Sequence, residues 1–450
     1  MKVKIRYVAV FAFLLALTSC PHSVPELANP ADPEASTPID TLEFEDANLR
    51  EAVIESAEEG GWEYSQDIER VSANWRDVES LEGIQFLFSL DDLSVEGNAI
   101  ESIGPLESFD EFSRLNISDN NISNLEPVGG MSIHTLILRH NPIEDLSPAA
   151  DVSDVRDLRI ENVNLDIEEV YSLAETADYW SDLRDLEVYV GEGAATDVRR
   201  LDLASNSSLR GLRLGPDELE NLNDIRELSE LAHLGLLDVS LTETEHGGLF
   251  DDLDSLHTIE LYNVDADEAT LESLGIGKAG ELDDLVVLND EMTDAEFAAG
   301  LEYVEWLDIG GDNLQSLDGL NEVGRINVLM ASGSPDLSDV SALRNHSLRE
   351  LNLRDSAVDN DDVADIVASM ADDAWQVSLS DTGITDVSGF GDLNSASLDL
   401  QGIAIEEGLS DLTNLDDPEF IDLGLTGVEE TLPDELDELI ERFGEDVVRY

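Results

Sequence analysis

The 450-residue sequence carries 103 acidic against 23 basic side chains, a formal charge of -80 at pH 7, and 42% hydrophobic residues. The hydrophobic share suits a folded chain, while a field of that sign repels nucleic acid and anionic lipid surfaces and draws cations or basic partners. The acids run through the whole chain, and past its first few residues lysine is reduced to Lys278, a balance that resembles proteins of salty surroundings, where counterions screen self-repulsion.

Met1 to Arg6 is basic and Tyr7 to Leu17 is an apolar run too short to span a bilayer, which together predict a secretory leader over 1–19. The run ends in Leu17-Thr-Ser-Cys20, which resembles the lipobox of bacterial lipoproteins. The resemblance implies cleavage before Cys20 and a lipid on that residue. Cys20 is the sole cysteine, so no disulfide can form within the chain. Residues 20–40 hold five of the thirteen prolines and few groups able to pack, and read as a disordered tether to a membrane. Absence of Asp after the cysteine (Pro21, His22) points to the outer membrane or cell surface.

Phe44 to Val53 predicts a short helical cap within 41–66. A repeat array follows over 67–431. Val71-x-Ala73, Leu93-x-Val95 and Leu115-x-Ile117 recur with a period of about 22 residues. Val78, Ile100 and Ile122 keep step with them, as do Leu81, Ile103 and Leu125, and Leu136-x-Leu138 continues the series. Asn98, Asn120 and Asn141 share one polar slot, where a buried amide can serve turn backbone groups that no ladder reaches.

The pattern resembles the internalin-like leucine-rich repeats of bacteria. That resemblance implies an α/β repeat solenoid, a leucine-rich-repeat horseshoe with a parallel β-sheet on its concave face and short helical, 3-10 or extended segments on its convex face. Later strands are expected at Leu186–Val188, Leu212–Leu214, Leu237–Val239, Ile259–Leu261, Leu285–Val287, Leu307–Ile309, Val328–Met330, Leu351–Leu353, Val377–Leu379, Leu398–Leu400 and Ile421–Leu423. Ile167 to Ala177 and Ala266 to Leu274 have helical spacing, Leu201–Leu203 fits no coil, and 432–450 reads as a closing helix. About sixteen coils at ~4.8 Å per strand would give an inner face roughly 75 Å long.

Chemistry is harder to find. None of the seven histidines has metal-ligand spacing, and no nucleophile elbow, P-loop or Gly-x-Gly-x-x-Gly is present, so no catalytic residue, cofactor or metal is expected. The middle residue of each strand should face the concavity: Ser94, Asn116, Ile137, Arg159, Glu187, Arg213, Asp238, Glu260, Val286, Asp308 and Asn352. Arg139, Arg156, Arg159, Arg184, Arg210 and Arg213 stand out against the acidic background, either neutralising neighbours or forming a binding patch. Charge reversal at Arg159 and Arg213 is expected to weaken binding without lowering the melting temperature. The implied function is a monomeric, envelope-anchored surface that binds a protein or glycan on its concave face. A structural scaffold without discrete ligand and a polysaccharide-active enzyme are the competing readings.

Overall fold

The computed structural model describes residues 37–450 apart from 163–164, 191–195, 221, 242–246, 371–372 and 394–395. The predicted leader, Cys20 and the tether up to residue 36 lie outside the described residues.

Each coil contributes one short strand, and seventeen of them form a single open parallel sheet. Register is continuous: Val71 pairs with Leu93, Leu93 with Leu115, and Leu115 with Leu136, through to Leu398 with Ile421 and Ile421 with Val448. The alternation dictates it, because a slip of one residue would turn every core leucine toward solvent. Leu93, Leu115, Leu136, Leu234, Leu285 and Leu351 are fully buried in one apolar column running along the solenoid. The chain folds as a leucine-rich-repeat horseshoe.

The turn after eleven of the strands has its own rule. Two residues past the second inward side chain the backbone is left-handed, at Trp75, Gly97, Asp119, His140, Asp238, Asn263, Gly333, Asp355, Asp381, Gly402 and Leu425. Most of these are Gly, Asn or Asp, which tolerate that region. Leu425 (φ 62°) does not, and it is 87% exposed. Leu425→Asn should therefore raise stability by about 0.5–1 kcal/mol, read as a higher urea midpoint with unchanged slope.

One residue after the turn comes the polar slot. Asn98 donates from Nδ2 to the carbonyls of Ala73 and Val95 and accepts at Oδ1 from the amides of Arg76 and Val78. Asn120 and Asn141 repeat the arrangement one and two coils on. Farther along, hydroxyls replace the amide: Ser356, Thr382 and Thr426 each donate to the carbonyl three residues back, at 2.6–2.7 Å.

The convex return limbs are mostly 3-10 turns, such as Ile84–Phe86, Gly104–Ser108 and Glu126–Val128. Three coils carry longer helices, Ile167–Thr176, Glu268–Leu274 and Asn360–Ser369, begun by Asp166, Asp267 and Asp359, whose carboxylates accept from first-turn amides. Leu201 ends one 3-10 turn and Leu203 begins the next. Thr196–Asp197, Asp217–Glu220 and Val239–Ser240 form a second, three-stranded parallel sheet that the repeat pattern does not foretell.

Both ends of the array are covered. Helix Ala47–Gly60, capped by Asp46, buries Leu49, Ala52, Val53 and Ala57 and packs on the first strand. At the other end helix Pro433–Phe443 buries Leu436 and Leu439. The closing helix expected over 432–450 stops at Phe443, and the chain goes on into Val448–Arg449, the last strand of the sheet.

Two registers differ from expectation. The strand expected at Leu237–Val239 is His233–Leu237, with Leu234 and Leu236 inward, so Gly235 takes the concave slot assigned to Asp238. Asp238 stands instead at the left-handed turn position. Likewise Leu329, not Val328, pairs with Leu307 and Leu351, which puts Met330 beside Asp308 on the concave face.

Candidate functional site

Ser94, Asn116, Ile137, Arg159, Glu187, Arg213, Gly235, Glu260, Val286, Asp308, Met330 and Asn352 stand in register as one row across the sheet. They are not equally available. Asn116 and Ile137 are 3% and 4% exposed, and Asn116 is held by Glu96 and by the Ser118 hydroxyl, which donates to its Oδ1. Ser94 donates to Asn74. The first coils of the row are thus closed to a ligand.

From Arg139 to Tyr262 the concave face opens into a basin of about 330 Å³. Arg139, Glu161, Glu187, Arg213, Asp238 and Glu260 provide its charges, and Val188, Tyr189, Leu214, Leu237 and Tyr262 its apolar floor. A second hollow of about 190 Å³, lined by Asp157, Arg159, Asp185 and His233, shares Glu187 and Arg213 with it.

The charges are paired across coils. Arg213 reaches over Gly235 to the coil beyond, where Nε and Nη2 meet the two carboxylate oxygens of Glu260 at 2.8 and 2.9 Å. A Cβ on Gly235 would stand 2.8 Å from Cγ of Arg213 and 3.1 Å from Glu260 Oε2, so glycine leaves the gap that the bridge crosses. The hydrogen bonds that Arg213 donates to Glu260 hold its pKa above its ordinary value. Arg139 is ion-paired with Glu187 across the intervening coil, and Arg159 makes a two-point contact with Asp157. Tyr189 donates to Asp238, which also accepts from Asn263. His140, at a left-handed turn, lies 2.9 Å from Asp119 and 2.8 Å from Glu161.

Charge neutralisation therefore accounts for Arg139, Arg159 and Arg213. Reversal at Arg213 would set a carboxylate against Glu260, so a lower melting temperature is expected there in place of an unchanged one. Arg156, Arg184 and Arg210 stand elsewhere. They form a column just before three successive strands, linked by amide-to-carbonyl bonds of 2.7 Å from Arg184 to Arg156 and from Arg210 to Arg184.

Past Glu260 the row changes character. Val286, Asp308 and Met330 run beside Asp284, Trp306, Val328 and Glu350. Burial raises the pKa of Asp308, and burial followed by repulsion from Asp283 raises that of Asp284. Asp185 is raised by burial and by Asp157. Asp145, Asp339 and Asp386 behave oppositely, because hydrogen bonds from Ser147, Ser341 and Ser388 hold them below the usual carboxylate range.

These shifts set a pH dependence. Carboxylates with raised native pKa add stability in full below their unfolded values and lose it as pH rises through their native ones. Those with lowered pKa add stability above the unfolded values and lose it as pH falls. The melting temperature in 1 M NaCl, where general repulsion is screened, should rise from pH 7 to about pH 5 and drop below about pH 3.5. Buried His346, lowered by desolvation, opposes the rise at one site. A melting temperature climbing steadily from pH 5 to pH 8 would contradict this assignment.

Among the described residues no group of three or more His, Cys, Asp and Glu side chains could hold a metal ion, and no helix is long and apolar enough to cross a membrane.

No protein-family model matches the chain, and no curated protein matches it. Similar solved structures include an internalin (inlF) from Listeria monocytogenes, with 18% identity over 81% of this chain and 97% of that one and a TM-score of 0.49. InlJ of the same organism, whose functional domain includes a cysteine ladder, has 15% identity over 84% and 80% and a TM-score of 0.48. A Leptospira interrogans leucine-rich-repeat protein has 14% identity over 86% and 96%, again with a TM-score of 0.48. The repeat class rests on this chain's own sheet and turns.

Proposed function

We propose that this chain is an exported, lipid-anchored recognition protein of the bacterial cell envelope that holds a protein partner on the concave face of its horseshoe. The observation that carries this reading is the basin between Arg139 and Tyr262, an apolar floor of Tyr189, Leu237 and Tyr262 ringed by charges already paired with one another. A wall of that kind is preorganised, and aromatic side chains in a partly desolvated hollow are the common anchors of protein interfaces. In this reading 1–19 is a leader, Cys20 carries lipid, and 20–36 spaces the array of 67–431 from the membrane, the expected tether of 20–40 being cut short because Thr37 and Ile39 are buried and Pro38 bridges to Tyr64. The segments 41–66 and 432–450 shield its ends.

Two experiments test it. Cys20→Ser should shift the protein from the membrane to the soluble fraction of lysed cells, and retention in the membrane would refute anchoring at that residue. A photo-reactive residue replacing Tyr189 should yield cross-links in intact cells that the same residue at convex Glu272 does not. Equal yields at the two positions would refute concave recognition.

A further inference from the structure

The two halves of the concave face differ in how their charges are satisfied. Before Glu260 every arginine of the row has a carboxylate: Arg159 with Asp157 and Arg213 with Glu260. After it, the adjoining rows read Asp284, Trp306, Val328, Glu350 and Gln376, beside Val286, Asp308, Met330, Asn352 and Ser378. None of these ten residues is basic. Asp308 has no hydrogen bond or ion pair among the described residues, although it is partly buried between valine and methionine neighbours. Glu350 accepts from the Trp375 indole at 2.6 Å. Arg349 and Arg354 nearby are ion-paired with Asp373 and Asp355, and Arg325 lies over the Tyr303 ring. Trp306 and Trp375 are 37% and 43% exposed, although both are large apolar rings.

We propose that this surface, from Asp284 to Ser378, docks a basic polypeptide segment of the partner, a proposal that rests on the concave-recognition reading above. Arginine or lysine side chains of the segment pair with Asp308 and Glu350 and lie over the indoles of Trp306 and Trp375, and its apolar side chains cover Val286 and Met330. The chemistry favours such an occupant. Indole faces attract cations, most strongly when water is excluded. A lone metal ion fits poorly, since Asp284 and Glu350 stand three strand spacings apart, roughly 14 Å. Nucleic acid is repelled by the charge of -80. An unpaired carboxylate kept among apolar neighbours costs the free protein stability, and a cation supplied by a partner removes that cost.

The probe is a fluorescent twelve-residue peptide of alternating arginine and valine, titrated into the purified full chain at 0.15 and 0.5 M NaCl and followed by anisotropy. Asp308→Asn and Trp306→Ala should each weaken binding at least ten-fold at both salt concentrations. Glu272→Gln, which removes one charge from the convex face, should leave it unchanged. Asp308→Asn should also melt no lower than the parent, which separates lost recognition from lost folding. Equal affinity for parent and Asp308→Asn, or equal weakening by Glu272→Gln, would mean diffuse attraction to an acidic protein and would overturn the proposal. If the peptide fails while cross-links from Tyr189 persist, this docking surface alone falls. If those cross-links fail as well, the concave reading falls with it.

Discussion

Asn120→Ala should cost about 3–5 kcal/mol, the largest loss expected from any single polar substitution in the array. Asn120 is 6% exposed. Its amide nitrogen serves the carbonyls of Val95, Ile117 and Ser118 at 2.8–3.1 Å, and its oxygen accepts from the amide of Ile100 at 3.0 Å. Alanine leaves these backbone groups buried without partners, each at about 1–3 kcal/mol where water cannot follow. Asn98 makes the same contacts near the end of the array, where it is less buried, so Asn98→Ala should cost about half as much. In a solenoid the damage stays near its coil. Hydrogen exchange should quicken in Asp92–Ser94 and Glu111–Asn116 and remain unchanged in Tyr303–Gly310. A loss below 1 kcal/mol, or faster exchange spread over the whole sheet, would show that the amide column does not hold the turns.

That column also shows how much the sequence discloses. Asn98, Asn120 and Asn141 are legible because one residue type recurs at one spacing. Asn then drops out of the slot, yet the requirement persists. Any short side chain that reaches the carbonyl three residues back will serve, and Ser356, Thr382 and Thr426 do. The Asn pattern alone misses a recurring geometry met by other chemistry. Helix Asn360–Ser369 was equally within reach, since Asp359 is a capping residue and Val363, Ile366 and Val367 have helical spacing. The short second sheet was not, because Asp217-Glu-Leu-Glu220 lacks the alternation that marks a strand.

The misplaced strand near 237 has a physical cause. Leu234-Gly-Leu-Leu-Asp-Val239 offers two overlapping Leu-x-apolar pairs, and glycine reads as a turn residue, which favours the second pair. Two signals decide for the first. Leu234 lies one 22-residue period past Leu212, and Asp238 then falls at the left-handed position that Asp119 and Asn263 occupy in other coils. The functional consequence exceeds the three-residue shift, because a glycine in the concave row is what admits the Arg213–Glu260 bridge into the basin.

Breaking that bridge should separate stability from recognition. Arg213→Glu places two carboxylates together on a face where the Glu260 side chain is 17% exposed, and should cost about 2 kcal/mol after allowance for the 44% exposure of the arginine. Arg213→Met keeps the apolar stem over Gly235 but strands Glu260, at a cost of about 1 kcal/mol. The double variant Arg213→Met, Glu260→Gln removes both charges and should recover most of that loss, giving a coupling energy near 1 kcal/mol in the double-mutant cycle. Cross-linking from Tyr189 distinguishes the roles. The bridge is satisfied within the chain, and a partner gains little by replacing it, so binding energy should come from the floor of Tyr189, Leu237 and Tyr262. The neutral double variant should then keep its cross-link yield within a factor of two, whereas Arg213→Glu should lose it by opening the wall of the basin. Loss of cross-linking in the stable double variant would instead assign the arginine and glutamate to direct contact with the partner, leaving the aromatic floor as their support.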